Sequence, residues 1–200
     1  MHETIDLDAI PAIEKRAVER RTGESMADTN DMRIADRFAI EQTLLRYTRG
    51  VDRKNWDFVR SAYHVDAHDD HGNYKGNIDG FIESLVKRHA TIEQSTHLIS
   101  NIAIEFAGPD AALVETYFIV HQRMLTAPGE AVQTEVVGRY VDRFARRDGA
   151  WRIARRAVVF EVHRTQPTQP GGGLQQNWVV ARRDGKDAME IARAEMGIST

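Results

Sequence analysis

Four segments between residues 96 and 163 decide the fold: THLISNIAIEF (96–106), AALVETYFIVHQRM (111–124), VQTEVVGRYVDRFAR (132–146) and WRIARRAVVFEVH (151–163). Each is rich in branched and aromatic residues, and the breaks between them carry the turn signals GPD, TAPGE and RRDG. That pattern predicts long strands joined by tight turns. Their length exceeds the roughly five or six residues of an ordinary strand, which suits a strongly bent sheet wrapped around something.

Upstream the periodicity is helical. Phe38, Ile40, Leu44, Leu45, Tyr47 and Val51 recur at helical spacing; a short helix follows over Asn55–Tyr63 and another over Asn77–Ala90. In the latter Asn77 can cap, while Ile78, Phe81, Ile82, Leu85 and Val86 form the apolar stripe. Three helices followed by a run of strands predict an α+β domain with the helices on one side of an antiparallel sheet. The expected organisation is an N-terminal arm (1–33, with a short helix over Pro11–Arg21), one domain (34–163) and a C-terminal extension (164–200). In the extension, RTQPTQPGGGLQQNW reads as a flexible crossing and Trp178–Ala181 as a short strand or an anchor. The expectation is that this tail folds back near the pocket mouth or across a neighbouring subunit to bury Trp178, the plainer reading being an inert extension. RRDG occurs at 146–149 and again at 182–185, and both copies read as turns.

Composition narrows the classes. The 27 basic and 30 acidic residues nearly balance, so nothing electrostatic favours nucleic acid. The absence of cysteine excludes disulfides and thiolate chemistry. The opening MHETIDLDAIPAIEKR lacks an apolar targeting core, and no stretch approaches the roughly 18 apolar residues of a membrane span, so a cytoplasmic location is expected. Phosphate-loop, GxSxG and HExxH motifs are missing.

DRFAIEQTLLRYTRGVDRKNW (36–56), AYHVDAHDDHGNYKG (62–76), THLISNIAIEF and VVGRYVDRFARRDGAWRIARRAVV (136–159) occur in an order that resembles the SnoaL-like branch of the nuclear transport factor 2-like superfamily. The resemblance implies a conical barrel, in which three N-terminal helices close a strongly curved, mostly antiparallel sheet around an apolar pocket. Dehydratase and dehydrochlorinase members use an Asp–His pair, matching Asp52 at the end of the first long helix and His97 at the start of the strand after the third. By the same resemblance Tyr47 and Arg156 fall on a tyrosine and an arginine of such sites. No cofactor is implied, and pairing into dimers or trimers is.

Each residue also has a plainer reading. Asp52 can cap the helix starting near Lys54, and His97, in phase with Ile99 and Asn101, can be a solvated strand residue. If the two meet, the carboxylate fixes one ring nitrogen and leaves the other as a base. Tyr47 is either a core aromatic or a hydroxyl donor to substrate; Arg156 alternates with inward positions and needs an anion there, from substrate or from a protein carboxylate. In HVDAHDDHG (64–72), His68 and Asp70 point opposite to Asp69 and His71, which argues against a metal site and leaves Asp70 or His71 for pocket contact. His121 and Tyr140 are lesser pocket candidates.

The expected activity is a cofactor-independent lyase acting on a small hydrophobic, cyclic or aromatic molecule, with loss of water or another small leaving group. Alternatives are carbon–carbon cleavage releasing formaldehyde, isomerisation or cyclisation, and a non-catalytic binding domain. Outward apolar positions, Val114 and Val137 among them, predict a homodimer or homotrimer.

Overall fold

The first helix, α1 (Met26–Arg53), starts ten residues before Asp36, where the apolar spacing begins, in a computed structural model that describes residues 26–175 and 177–198. The Pro11–Arg21 helix lies outside the described residues. α1 buries one stripe, Ile40, Leu44, Tyr47 and Val51, each at most 3% exposed. Burial of side chains of this size contributes roughly 1.5–3 kcal/mol apiece, so this face fixes the helix on the sheet. Phe38 and Leu45 match the spacing but face outward.

The chain then runs through α2 (Trp56–Ser61), β1 (Tyr63–Asp70), β2 (Lys75–Asn77), α3 (Ile78–Arg88), β3 (Ile92–Phe106), β4 (Ala111–Ala127), β5 (Glu130–Arg147), β6 (Ala150–Thr168) and α4 (Ala188–Glu195). Asn55 caps α2 by accepting from the Phe58 N–H, so the capping role weighed for Asp52 falls to Asn55. Asn77 caps α3 through the Gly80 N–H.

One expectation is overturned here. The sheet is not a closed, strongly curled cone: among the described residues its six strands run in the order β2-β1-β6-β5-β4-β3, with β2 and β3 at the edges. It is also mixed, because β1 lies parallel to β6 while the other pairs are antiparallel. The physical reason is connectivity. The β3–β6 run is a meander of hairpins, whereas β1 enters from the helical half and reaches the far side of β6, beyond the reach of β3.

Alternation sets the inner face. On β4 the buried residues are Ala112, Val114, Thr116, Phe118, Val120 and Gln122; Val114 therefore faces the core and not, as expected, the outside. The outer apolar row is Leu98, Ile119, Val137 and Val162, which stand in register across β3 to β6. On β3 a register shift between Ser100 and Ala103, with Asn101 at φ 47°, switches the inward phase, so Asn101 is exposed and does not share a face with His97. β6 continues through Pro167, which is tolerated because among the described residues β6 has only β5 as neighbour beyond Ala157. At Gly138 an added Cβ would stand 2.3 Å from the Val159 carbonyl oxygen and 2.8 Å from the Phe118 ring, so only glycine lets that ring lie over β5.

Candidate active site

Asp52 and His97 meet. His97 Nδ1 lies 2.6 Å from Asp52 Oδ1, the His97 backbone N–H donates to Asp52 Oδ2 at 2.8 Å, and Ser95 Oγ donates to Oδ1 at 2.9 Å. With Nδ1 engaged, Nε2 is the ring nitrogen left toward the cavity that His97 helps to line. Burial pushes the Asp52 carboxyl up, but the bonds and charge from His97 and the Ser95 hydroxyl outweigh it and hold the group below its ordinary value. The network continues outward: Gln122 Nε2 donates to Ser95 Oγ (3.3 Å) and Arg88 donates to Gln122 Oε1 (3.0 Å).

The local chain explains why these groups converge. α1 ends in a Schellman arrangement, with Asn55 N–H to the Gly50 carbonyl (2.9 Å), Lys54 N–H to the Val51 carbonyl (3.3 Å) and Lys54 at φ 56°. A side chain at Gly50 would stand 2.9 Å from Val59, so glycine lets α2 pack under that end. The turn holds Asp52 in the last turn of α1, above the start of β3.

A second imidazole–carboxylate pair faces the same cavity. His71 Nδ1 lies 2.5 Å from Asp69 Oδ1, Tyr63 donates to Asp69 Oδ2 at 2.6 Å, and His71 Nε2 is 3.4 Å from the Tyr47 hydroxyl. Burial pushes Asp69 up, yet His71, Arg156 and the Tyr63 bond bring it below its ordinary value. The His71 ring stacks on Phe81 with centroids 4.6 Å apart. The rest of the histidine-rich segment disperses. Asp70 pairs with Lys75 and accepts from the Gly72 N–H, Asp66 pairs with Arg147, and His64 contacts the Ala145 carbonyl.

Arg156 does not reach the cavity. Its guanidinium, fully buried, makes a two-pronged bond to Asp142 (2.7 and 2.6 Å) and lies over the rings of Tyr140 (3.9 Å) and Tyr47 (4.3 Å). Asp69, Arg156 and Asp142 are neighbours in register across β1, β6 and β5, a charged row sealed beneath the aromatic floor. Asp142 was legible in principle, since it shares the inward phase of Tyr140 and Phe144. Burial holds the Tyr47 and Tyr140 hydroxyls well above their ordinary pKa, so both stay neutral. Tyr140 lines the cavity and stacks on Phe118 at 4.5 Å; His121 sits on the outer face near Glu135.

The cavity itself is narrow, about 50 Å³. Tyr47, Val51, Phe118, Val120, Tyr140 and Val158 supply its apolar lining, with half-exposed Phe160 also on the wall. Trp178 is not part of the wall and is half exposed; the tail meets the body of the protein further on, at Arg183.

His89, also on the wall, is held neutral: burial and then the nearby Arg183 guanidinium push its pKa down to about 3. The unfolded chain takes up a proton near the ordinary value of 6.5 and the folded chain does not, so stability is complete above pH 6.5 and falls as the pH drops toward 3. The expected slope is up to about 1.4 kcal/mol per pH unit. Denaturant midpoints at pH 7 and 5 check this: His89→Gln should flatten the fall, and an unchanged fall would reject the assignment.

No curated protein matches this chain significantly in sequence. Among solved structures, it is similar to a protein of Novosphingobium aromaticivorans provisionally assigned as a scytalone dehydratase (20% identity, 68% of this chain and 90% of that one, TM-score 0.62). It is also similar to the hexachlorocyclohexane dehydrochlorinase LinA-type3 of Novosphingobium barchaimii (19%, 68% and 94%, TM-score 0.59). A third similar structure, provisionally assigned as an aromatic ring hydroxylase of N. aromaticivorans, shares 26% identity (68% and 94%, TM-score 0.58). Because the model describing the SnoaL-like domain matches residues 32–157, most of α1 through the middle of β6, the chain belongs to the SnoaL-like family.

Proposed function

We propose that this protein is a cofactor-independent lyase for a small hydrophobic, cyclic or aromatic substrate, with His97 as general base. The observation that carries the reading is the Asp52–His97 pair at 2.6 Å on the wall of an aromatic-lined cavity. The dehydratase and dehydrochlorinase names among the similar structures support the reaction class. Nε2 of His97 takes a carbon-bound proton; the C–H electrons form the double bond, and the bond to the leaving group breaks with its electron pair on that group. Asp52 stabilises the imidazolium that forms. Tyr47 and His71, in contact with each other, bind the departing oxygen or halide, and Tyr140 shapes the apolar wall. Arg156 acts only through the rings it stacks on. Entry of a ring-sized substrate requires the side chains of the wall, Phe160 among them, to turn aside.

The test presents the purified protein with a panel of cyclic β-hydroxy ketones and polychlorinated cyclohexanes and reads product mass. Loss of water or hydrogen chloride is expected, with His97→Gln lowering turnover about 10²–10⁴-fold. An unchanged mass indicates isomerisation, and trapped formaldehyde indicates carbon–carbon cleavage. Full turnover by folded His97→Gln would sink the base assignment. The narrowness of the cavity favours a second reading, a non-catalytic binding domain; binding of panel compounds without any product decides for it.

We also propose that the chain forms a homo-oligomer, a dimer ahead of a trimer, through the outer apolar row containing Leu98, Ile119, Val137 and Val162. Sedimentation at micromolar concentration should give a multiple of 22.7 kDa, and a 22.7 kDa particle alone refutes it.

A further inference from the structure

We infer that Arg183, supplied by the C-terminal extension, is a positioning residue for the Asp52–His97 pair; the inference rests on the reading of that pair as a catalytic base. The two partners come from different elements, Asp52 from the last turn of α1 and His97 from β3, so their separation depends on how those elements are held together. Arg183 spans that junction. Its Nε donates to the Asp52 main-chain oxygen (2.7 Å), Nη2 to the Val51 oxygen (2.9 Å) and Nη1 to the Ile92 oxygen at the start of β3 (2.8 Å). Nη2 also lies 2.6 Å from His89 Nδ1, in the residue following α3. One rigid planar group thus ties together the end of α1, the end of α3 and the beginning of the strand that carries His97.

The chemistry of the junction asks for this group. The Schellman turn satisfies the Gly50 and Val51 carbonyls through Asn55 and Lys54, and Arg183 serves the Asp52 carbonyl. A cation here sits at the negative end of α1 and favours the ionised form of Asp52. Burial lowers the Arg183 pKa to about 10, which still leaves it charged at neutral pH. Neutral His89 keeps a lone pair on Nδ1 to accept from the guanidinium, and its ring meets Trp56 edge-on at 5.7 Å.

Arg183 is presented by a loop that is bonded to itself before it reaches α1. The Arg182 N–H donates to Asp187 (3.0 Å), the Lys186 N–H donates to Asp184 (3.2 Å), and the Arg182 side chain pairs with Asp184. Asp187 caps α4 and lies 3.6 Å from Arg53, while Glu190 lies 3.6 Å from Arg49, both partners being on α1. The second RRDG turn is therefore an arm that delivers one guanidinium. Misplacement of a catalytic group by about 1 Å costs on the order of 10²-fold in rate, so slack at this junction is read directly in turnover.

The experiment uses the full-length protein and compares wild type, Arg183→Ala and Arg183→Lys by thermal unfolding, proton NMR and turnover on the hydroxy-ketone and chlorocyclohexane panel. Wild type should show a far-downfield imidazole proton, assigned to His97 Nδ1–H by its loss in His97→Gln. Arg183→Ala should lose or broaden that resonance and turn over about 10–100-fold more slowly with little change in KM. Arg183→Lys should show the same losses to a smaller degree, because an ammonium keeps the charge but cannot fork to three carbonyls. Added guanidinium at sub-denaturing concentration should restore Arg183→Ala. If Arg183→Ala does not fold, Arg183→Lys carries the comparison. An unchanged resonance in a folded Arg183 variant overturns the inference even if every protein is active. If no protein turns over the panel, the lyase reading fails, while the resonance still decides the positioning role.

Discussion

Asp142→Ala is expected to destabilise the protein by about 3–5 kcal/mol. The residue and its partner Arg156 are both fully buried, and the partner's charge is compensated chiefly by the two-pronged bond at 2.7 and 2.6 Å. Burial alone weakens the arginine's hold on its proton, but Asp142 outweighs that and raises its pKa. Removal of the carboxylate leaves a guanidinium sealed beneath Tyr47 and Tyr140, with Asp69 on the neighbouring strand already committed to His71 and Tyr63. Against a typical total stability of roughly 5–15 kcal/mol, this is a large fraction. For a chain of this length the melting temperature should fall by very roughly 2–4 °C per kcal/mol. Denaturant unfolding of Asp142→Ala, and of a double variant that also carries Arg156→Met, measures it. The double variant should recover much of the loss, since two apolar groups leave no orphaned charge. A single variant within about 1 kcal/mol of wild type would show that the pair is not the anchor of the aromatic floor.

Asp52→Asn is expected to lower turnover about 10²–10⁴-fold while leaving most of the fold intact. The carboxylate accepts from His97 Nδ1, the His97 backbone N–H and Ser95 Oγ, all three on its two oxygens. An asparagine presents one oxygen and an NH2 group. Whichever way the amide turns, a donor faces a donor, either at the backbone N–H or at the imidazole and hydroxyl. The first costs about 1–3 kcal/mol of stability; the second reverses the imidazole tautomer and removes the base from the cavity. Circular dichroism and melting temperature separate the two effects from turnover on the cyclic panel. A folded Asp52→Asn protein with wild-type turnover removes Asp52 from the mechanism. Acid should act in the same direction: because the Asp52 carboxyl is held below its ordinary value, its stabilising effect is present at neutral pH and is lost as pH falls through its lowered pKa.

The inward stripe of α1, the capped helix α3 and the strand run from 96 to 163 were legible in the sequence, because each rests on a period that neighbouring residues impose on one another. Asp52 and His97 were legible as a pair only through resemblance, since 45 residues separate them and no local pattern couples them. The depth of Arg156 was half legible: alternation put it inward and electrostatics demanded an anion, but the choice between substrate and Asp142 depended on strand register. Phase readings failed at Asn101, where a shift in pairing reverses the face of the strand, and at Val114, whose side was decided by which face the helices cover.

By itself, the sequence determined the classes of element, their order and the residue types available for acid–base work. Tertiary structure alone decided that the sheet stays open with β1 parallel to β6, that Asp69 rather than Asp70 holds His71, and that the tail contributes Arg183 instead of covering the cavity with Trp178. The physical reason is one of range. Periodicity, capping and turn chemistry act within a few residues and are written locally, whereas edge pairing, buried charge compensation and the capture of helix-end carbonyls join groups up to 132 residues apart and depend on which surfaces meet once the chain has collapsed.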